Sequence, residues 1–297
     1  MALLGFNLDE AEQANKEIKK LKKLIKKNKD YKERLLTDSI EYENLKHYFK
    51  ILCSYLMYRC DSIKQGTSFY RVRPLGLDEE VTSKSGLLYP TLDVATSGRM
   101  NNKIFNVMYT SFNEFTACME TGIFKKKIGD RFQLTRFKTN RDLGVYRLGT
   151  FSEIYFNLPR DSEAFDAKMK YYNISSQSTL KGFSALENLL LGILYSKDDS
   201  SYLLSSILAH AIFEKNDEYS PNRIDAILYP SQQSTHGINL AFKTSVANEL
   251  EVTFTCLNKL EKKYTNKMIK YYTLKESMEI TSDEILYNDV KSNCIWR

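Results

Sequence analysis

The first 60 residues show the hydrophobic pattern of amphipathic helices. From Leu8 to Asp61 the chain contains neither Gly nor Pro, and small or apolar side chains recur at alternating spacings of three and four residues, which predicts a helix. The stripe consists of Ala11, Ala14, Ile18, Leu21, Ile25 and Asn28. Eight lysines between Lys16 and Lys29 occupy the other faces. This pattern predicts either a solvated or self-associating, coiled-coil-like helix or a helix that lies on an acidic surface.

The pattern changes after this region. A second helical stretch, Ile40 to Cys60, is rich in aromatic residues and is predicted to pack onto the main domain. Gly66 then ends the helical pattern, so we place a domain boundary near residue 65. Beyond it the sequence predicts a buried helix over Tyr202–Lys215 and strands over Ser68–Val72, Val107–Ser111, Ile224–Tyr229 and Leu250–Cys256.

Strands interspersed with helices indicate an α+β or mixed α/β main domain rather than an all-helical one. We therefore predict three consecutive regions. They are an N-terminal helical, coiled-coil-like arm (1–65), the main domain (66–260) and a C-terminal extension (261–297).

Composition and charge exclude several classes of protein. The 297-residue chain has 42% hydrophobic residues and 36 Tyr or Phe, which is typical of a folded globular protein. Of the net charge of +6, residues 1–36 carry +4, from nine Lys and one Arg against six acidic residues. The remaining +2 is spread over a nearly balanced body, so we do not expect a phosphate-backbone surface for nucleic acid there.

Cysteine content and hydropathy bear on the compartment. Five scattered cysteines form neither a C-x-x-C pair nor a disulfide-scaffold spacing, which indicates a reducing cytoplasm. We find neither a secretory signal nor an apolar run of transmembrane length, so we expect no membrane contact.

The common nucleotide and metal motifs are missing from the sequence. There is no G-x-G-x-x-G and no G-x-x-x-x-G-K-[ST], so neither a Rossmann nor a P-loop site is predicted. The three histidines are His47, His210 and His236, and none has zinc-ligand spacing, so we expect no metal. We interpret His210 as a core histidine, because it lies on an apolar helical face.

Three separated segments carry residues suited to chemistry. The first contains Arg71 at the end of a strand and Arg99 directly after a glycine, where guanidinium groups can hold a diphosphate. The second runs from the strand residues Tyr109 and Ser111 into a helix that carries Glu120. In the third, Tyr-Pro-Ser ends a strand at residue 231 and G-I-N-L follows at 237–240, with the Asn at 239. Taken singly, each segment is also compatible with a surface ion pair, a solvated carboxylate or a plain turn.

Taken together, the order Arg, G-R-x-N, Y-x-S with T-A-x-x-E, and Y-P-S with G-x-N-L closely resembles the RES-domain family, named for an Arg, a Glu and a Ser. The resemblance covers about residues 66–245. It implies an ADP-ribosyltransferase-like mixed β core with flanking helices. It also implies a bacterial cytoplasmic toxin that degrades NAD and pairs with an Xre-type helix-turn-helix antitoxin.

The resemblance also implies roles for individual residues. Glu120, Arg99 and Tyr109 are then catalytic, and Arg71, Arg99, Tyr109, Ser111, Ser231 and Asn239 bind NAD. Two features depart from the family pattern. Met100 stands where family members commonly have Trp, and the N-terminal arm is additional to the compact toxin.

Three functions are compatible with the sequence. The first is an NAD glycohydrolase that acts as a toxin or defence effector under an antitoxin or regulatory protein. The second is an ADP-ribosyltransferase that modifies a protein or a nucleotide. The third is a non-catalytic protein whose basic N-terminal helix binds nucleic acid or a partner, or forms a homo-oligomer.

Overall fold

The computed structural model describes residues 7–37, 39–56, 61–93, 98–155, 176–195, 199–215, 223–234, 236–265, 267–277, 280–281 and 283–295. In this part of the chain the α-helices are α1 Leu8–Lys27, α2 Lys29–Arg34, α3 Ile40–Ser54, α4 Lys84–Leu87, α5 Glu114–Glu120, α6 Thr150–Tyr155, α7 Gln177–Tyr195, α8 Asp199–Lys215 and α9 Thr244–Glu249. The strands are β1 Asp61–Ile63, β2 Ser68–Leu75, β3 Val107–Ser111, β4 Arg131–Lys138, β5 Leu143–Arg147, β6 Ala226–Pro230, β7 Ile238–Lys243, β8 Glu251–Lys263, β9 Ile269–Ser277, β10 Ile280–Thr281, β11 Glu284–Ile285 and β12 Asn288–Ile295.

The chain divides into two compact units, each built from three separate segments. The helical unit consists of Met1–Asp61, Thr91–Asn106 and Gly144–Ile227. The sheet unit consists of Ser62–Pro90, Val107–Leu143 and Leu228–Arg297. The predicted boundaries at residues 65 and 260 stay predictions.

In the helical unit, the first predicted helix is broken in two at Asn28, and the second predicted stretch begins as a separate helix at Ile40. The side chain of Asn28 accepts a hydrogen bond from the N–H of Tyr31, and Ser39 accepts one from Tyr42. Each polar side chain therefore caps a new helix, and the cap at Asn28 ends the continuity expected from the absence of Gly and Pro. The second predicted stretch forms α3, which ends at Ser54, and residues 57–60 of that prediction lie outside the described residues.

The apolar stripe of α1 packs against α7 of the same unit. Ala11, Ala14, Ile18 and Ile25 are buried, as the spacing predicts, while the lysines of the other faces are exposed or half-buried. The stripe is thus covered within the chain. A homo-oligomer through this helix stays a prediction.

Helices α3 and α8 form the second packed pair of the helical unit. The hydroxyl of Tyr42 lies 2.7 Å from Nδ1 of His210, and the imidazole stacks on the ring of Phe105 at a centroid distance of 4.5 Å. The buried ammonium of Lys46 contacts Glu43 at 2.7 Å and Glu214 at 2.9 Å. His210 is therefore a hydrogen-bonded histidine of the helix packing, as interpreted from its position on the helix.

The sheet unit contains an antiparallel sheet whose strand order is β7-β3-β2-β4-β8-β9-β12. Together with the helices it makes the protein α+β, which confirms the predicted class. The predicted strands at 68–72, 107–111, 224–229 and 250–256 correspond to β2, β3, β6 and β8; β3 has the predicted bounds and the other three have shifted ends. Of the helices described, none combines the length and the apolar character needed to cross a membrane.

The two faces of this sheet carry different residues because side chains alternate along each strand. On one face, Val72, Leu134 and Cys256 form a core with Ala117 and Cys118 of α5. On the other face, the ring of Phe69 lies 5.1 Å from that of Phe242 and 5.5 Å from that of Phe112. Helix α5 is therefore held on one defined face, next to β2, β3 and β7.

Replacing Ile18 by Ala tests the packing of α1. Ile18 is 2% exposed, and a large-to-small change at such a site costs about 2–5 kcal/mol of unfolding free energy. Denaturant unfolding measures this loss. The matched control is Leu24→Ala on the same helix, where the side chain is 42% exposed and the expected change is below about 0.5 kcal/mol. Equal effects of the two changes would contradict this packing.

Candidate functional site

Helix α5 positions the candidate carboxylate. Asn113 begins the helix, because its Oδ1 accepts a hydrogen bond of 2.7 Å from the N–H of Thr116. Ala117 and Cys118 then anchor the helix in the core. Glu120 is its last residue and is half-buried. The sequence therefore determines both where this helix starts and which side of it faces the protein.

Ser231 holds the carboxylate of Glu120. Its Oγ lies 2.5 Å from Oε1 of Glu120 and also accepts hydrogen bonds from the N–H groups of Gln233 (3.1 Å) and Ser234 (2.9 Å). Because both acceptor positions of the hydroxyl are occupied, its one hydrogen is donated to the carboxylate. The structure thus brings together Glu120 and Ser231, which lie 111 residues apart.

Strands β3 and β7 supply the second part of the site. Ser111 faces Asn239 across the ladder, and its hydroxyl donates to Oδ1 of Asn239 at 2.7 Å. Tyr109 lies two residues earlier on β3, so its side chain is on the same face as that of Ser111. Tyr70 pairs with Ser111 and packs against the core that holds α5. The side chains of Tyr109, Ser111 and Asn239 therefore lie on the face that carries α5.

Arg71 lies where β2 and β3 part, and the alternation along β2 places its side chain on the face of Phe69, opposite to the face that carries α5. Over their described lengths the two strands pair at Tyr70 and Ser111 alone. The guanidinium of Arg71 donates to the carbonyl oxygens of Tyr109 (3.3 Å) and Leu87 (3.2 Å). Burial, with a smaller contribution from Arg73, lowers the pKa of Arg71 to about 10, so the side chain is still a cation at neutral pH.

The neighbouring Arg73 has a different environment. Its guanidinium forms an ion pair of 2.5 Å with Glu79 and donates to the carbonyl of Gly86 at 2.8 Å. Among the described residues, Arg71 has no carboxylate within ion-pair distance. An unbalanced cation in a poorly solvated position favours the binding of an anion. The structure therefore separates two arginines that are two residues apart into a structural one and a candidate anion-binding one.

Arg99 belongs to the helical unit. It lies in a turn closed by the hydrogen bond from Gly98 N–H to the Asn101 carbonyl, at 2.9 Å. Its guanidinium carbon is 5.4 Å from the ring centroid of Tyr195, within cation–π range. Met100, the next residue of the G-R-x-N segment, is buried. A shared site of Arg99 with Glu120 stays a prediction.

Buried polar atoms mark further ligand-binding capacity in the sheet unit. Within the described part of the chain, Nδ2 of Asn239, Oγ1 of Thr110 and Oγ1 of Thr116 are buried without a hydrogen-bond partner. A buried donor that stays unpaired costs about 1–3 kcal/mol. Such atoms are therefore candidates for contacts with a bound molecule.

Other kinds of centre find less support in the structure. The described residues contain no group of three or more His, Cys, Asp or Glu side chains arranged to hold a metal ion. Cys118 lies on α5 close to Glu120, but burial, together with the nearby Glu114 and Cys256, raises the pKa of its thiol to about 12. The thiol is therefore protonated at neutral pH and is not an activated nucleophile.

Two residues of this region received no role from the sequence. Thr116 and Gly237 lie in the quoted motifs, and the structure places them so close together that a Cβ atom added at residue 237 would lie 2.8 Å from the Thr116 side chain. Their sequence signal is weak, because a Thr in a helix and a Gly in a loop are ordinary. The contact depends on how closely a loop approaches a helix, and periodicity carries no information about that distance.

Comparison with known proteins identifies one family. A family model described as the RES domain matches residues 69–255, nearly two thirds of the chain. The match includes β2, α5 and β7 and all the candidate residues of both units. No curated protein and no solved structure matches the chain.

Replacing Arg71 by Lys tests the anion site. Lysine keeps the charge but loses the forked donors, so we expect the affinity for inorganic pyrophosphate to fall about tenfold. Calorimetric titration of the purified protein measures it. Arg73→Lys is the matched control, because Glu79 already balances that charge, and its affinity should stay within about twofold. A larger loss at Arg73 than at Arg71 would reverse the assignment.

Proposed function

Because the chain belongs to the RES-domain family, we propose that it is an NAD glycohydrolase, which cleaves the bond between nicotinamide and ribose. The observation that carries this proposal is the hydrogen bond from Ser231 to Glu120. It joins two of the three residues that give the family its name. We further infer that the sheet unit is an ADP-ribosyltransferase-like core.

The chemistry of NAD explains why one carboxylate suffices. Nicotinamide is attached to ribose through a positively charged ring nitrogen, so when the C–N bond breaks the electron pair leaves with a neutral ring. No general acid is needed for this departure. The difficulty is the oxocarbenium-like cation left on the ribose, and a fixed carboxylate stabilises such a charge.

Glu120 has the position for this role. Among the described residues Ser231 is its hydrogen-bond partner, through Oε1, which leaves Oε2 for a ribose hydroxyl or a water molecule. Water then adds to the anomeric carbon and loses one proton. The products are nicotinamide, ADP-ribose and H⁺.

Arg71 is the proposed diphosphate contact. Its guanidinium has two carbonyl partners and, in the described part of the chain, no carboxylate partner. The charge of a diphosphate compensates this cation better than a neutral ligand does. Arg99, predicted from the G-R-x-N segment, is proposed as the second diphosphate contact.

The strand residues are proposed to bind the nicotinamide riboside. The Ser111 hydroxyl donates to Oδ1 of Asn239 and thereby fixes the orientation of the amide. Nδ2 is then presented as a donor for a ribose hydroxyl or for the nicotinamide carboxamide. Tyr109, on the same face, offers a ring for nicotinamide. Restraint at both ends of the dinucleotide favours the cleavage geometry.

The proposed biological role follows from the reaction. Uncontrolled loss of NAD would kill the cell that makes the enzyme, so we propose that the protein is a toxin or defence effector held in check by an antitoxin or another regulatory protein. The family resemblance supports an antitoxin of the helix-turn-helix kind.

Glu120→Gln tests the proposal. The change keeps the shape and removes the charge, so we expect turnover of NAD to fall about 100- to 1,000-fold. Chromatography of nicotinamide and ADP-ribose measures it, and label transferred to a macromolecule would indicate ADP-ribose transfer instead. Glu114→Gln is the matched control on the same helix and should stay within about threefold of the wild type. Wild-type turnover in Glu120→Gln would refute the role of this carboxylate.

A further inference from the structure

Gly237 occupies a position where a side chain does not fit. A Cβ atom built there would lie 2.8 Å from both Cγ2 and Oγ1 of Thr116 and 2.9 Å from Cβ of Ser231. Its φ angle is outside the left-handed region, so its backbone conformation does not require glycine. The constraint at this position is space.

The crowded contact lies next to the candidate carboxylate. Thr116 is four residues before Glu120 on α5, and residues with this spacing are neighbours on one side of a helix. On that side, Gly237 touches Thr116 and Ser231 bonds to Glu120. The two contacts are therefore adjacent links between one helix and one loop.

Gly237 and Ser231 are also joined directly. The N–H of Ser231 donates to the carbonyl of Gly237 at 2.8 Å, and the N–H of Gly237 donates to the carbonyl of Ser234 at 3.1 Å. The N–H of Ser234 in turn donates to Oγ of Ser231. A displacement of Gly237 away from α5 is thus transmitted to the Ser231 hydroxyl.

We propose that Gly237 is a positioning residue for Glu120: its missing side chain lets the loop lie against Thr116, and that approach brings Ser231 to the carboxylate. The inference rests on the proposed function, in which Glu120 is catalytic. The contact with Thr116 sets the distance between the loop and α5.

The size of the expected displacement follows from the contact distances. Ordinary contact begins at 3.4 Å, and the shortest contact of an added Cβ is 2.8 Å, so the loop or the helix must move by about 0.6 Å. An O–H···O bond of 2.5 Å lengthened by that amount passes the usual limit of about 3.0 Å. Misplacement of a catalytic group by about 1 Å lowers turnover about 100-fold.

Gly237→Ala tests the inference by kinetics. We expect kcat for NAD cleavage to fall about 10- to 100-fold, while KM stays within about twofold because the diphosphate and strand contacts are unchanged. Gly192→Ala is the matched control, since a Cβ there meets no atom within 4 Å. It should leave kcat unchanged. A wild-type kcat in folded Gly237→Ala would overturn the inference.

A second variant separates an effect on the site from an effect on folding. Gly237→Ala combined with Thr116→Ala removes both 2.8 Å contacts and leaves the one with Ser231. We expect it to fold and to regain at least about fivefold in kcat over Gly237→Ala. Failure of both variants to fold would mean that Gly237 serves the fold and not the carboxylate. No regain in a folded double variant would overturn the claim that Thr116 sets the approach of the loop.

A third measurement does not depend on activity. The coupling between Ser231→Ala and Glu120→Gln is obtained from the unfolding constants of the two single variants and the double variant, and we expect a factor of about ten. In a Gly237→Ala background the factor should fall to about one. If the coupling is lost in the Gly237→Ala background but the wild-type protein does not cleave NAD, the positioning role is supported and the proposed function is rejected. A persisting factor of ten would overturn the positioning role and leave the function standing.

Discussion

The site depends on one hydroxyl group that has a single hydrogen to donate. Because two backbone N–H groups occupy the acceptor positions of the Ser231 oxygen, that hydrogen is donated to Glu120. The carboxylate is thereby fixed by the main chain of the loop rather than by another flexible side chain. A preorganised charge of this kind does not have to reorient when a cation develops near it. The loop that carries Ser231 and the helix that carries Glu120 together determine the geometry of this hydrogen bond.

The surroundings of the arginines show how the sheet distinguishes chemically identical side chains. Arg73 forms an ion pair with Glu79, with 2.5 Å between Nη2 and Oε1. Arg71 lies where β2 and β3 stop pairing, and its partners are carbonyl oxygens. An opening in a ladder of hydrogen bonds exposes polar groups that a ligand can complete. The local loss of pairing thus coincides with the position of a buried guanidinium whose partners are main-chain carbonyl oxygens.

Sequence reasoning predicted the parts of the structure that follow from periodicity and caps. The stripe from Ala11 to Ile25, the strand at 107–111 and the helix that carries Glu120 are local properties of the chain. The break at Asn28 was missed because a capping side chain competes with a continuing helix only weakly in the sequence pattern. The motif order identified the family, yet it contained no distances. The contact of Thr116 with Gly237 and the different surroundings of Arg71 and Arg73 arise from tertiary packing, which is why neither could be derived from residue spacing.

The packing of α1 against α7 has a consequence for the chain as a whole. The lysine-rich segment looks like an appendage in the sequence, but its buried stripe covers apolar residues of a helix located some 170 residues later. A protein shortened to residues 62–297 would expose that surface of α7, and also the side of α8 on which α3 rests. Exposed apolar patches of this kind promote aggregation. Helices α1 and α3 therefore cover apolar surface of two later helices, and proteolysis between α3 and β2 would lower the solubility of the remaining chain.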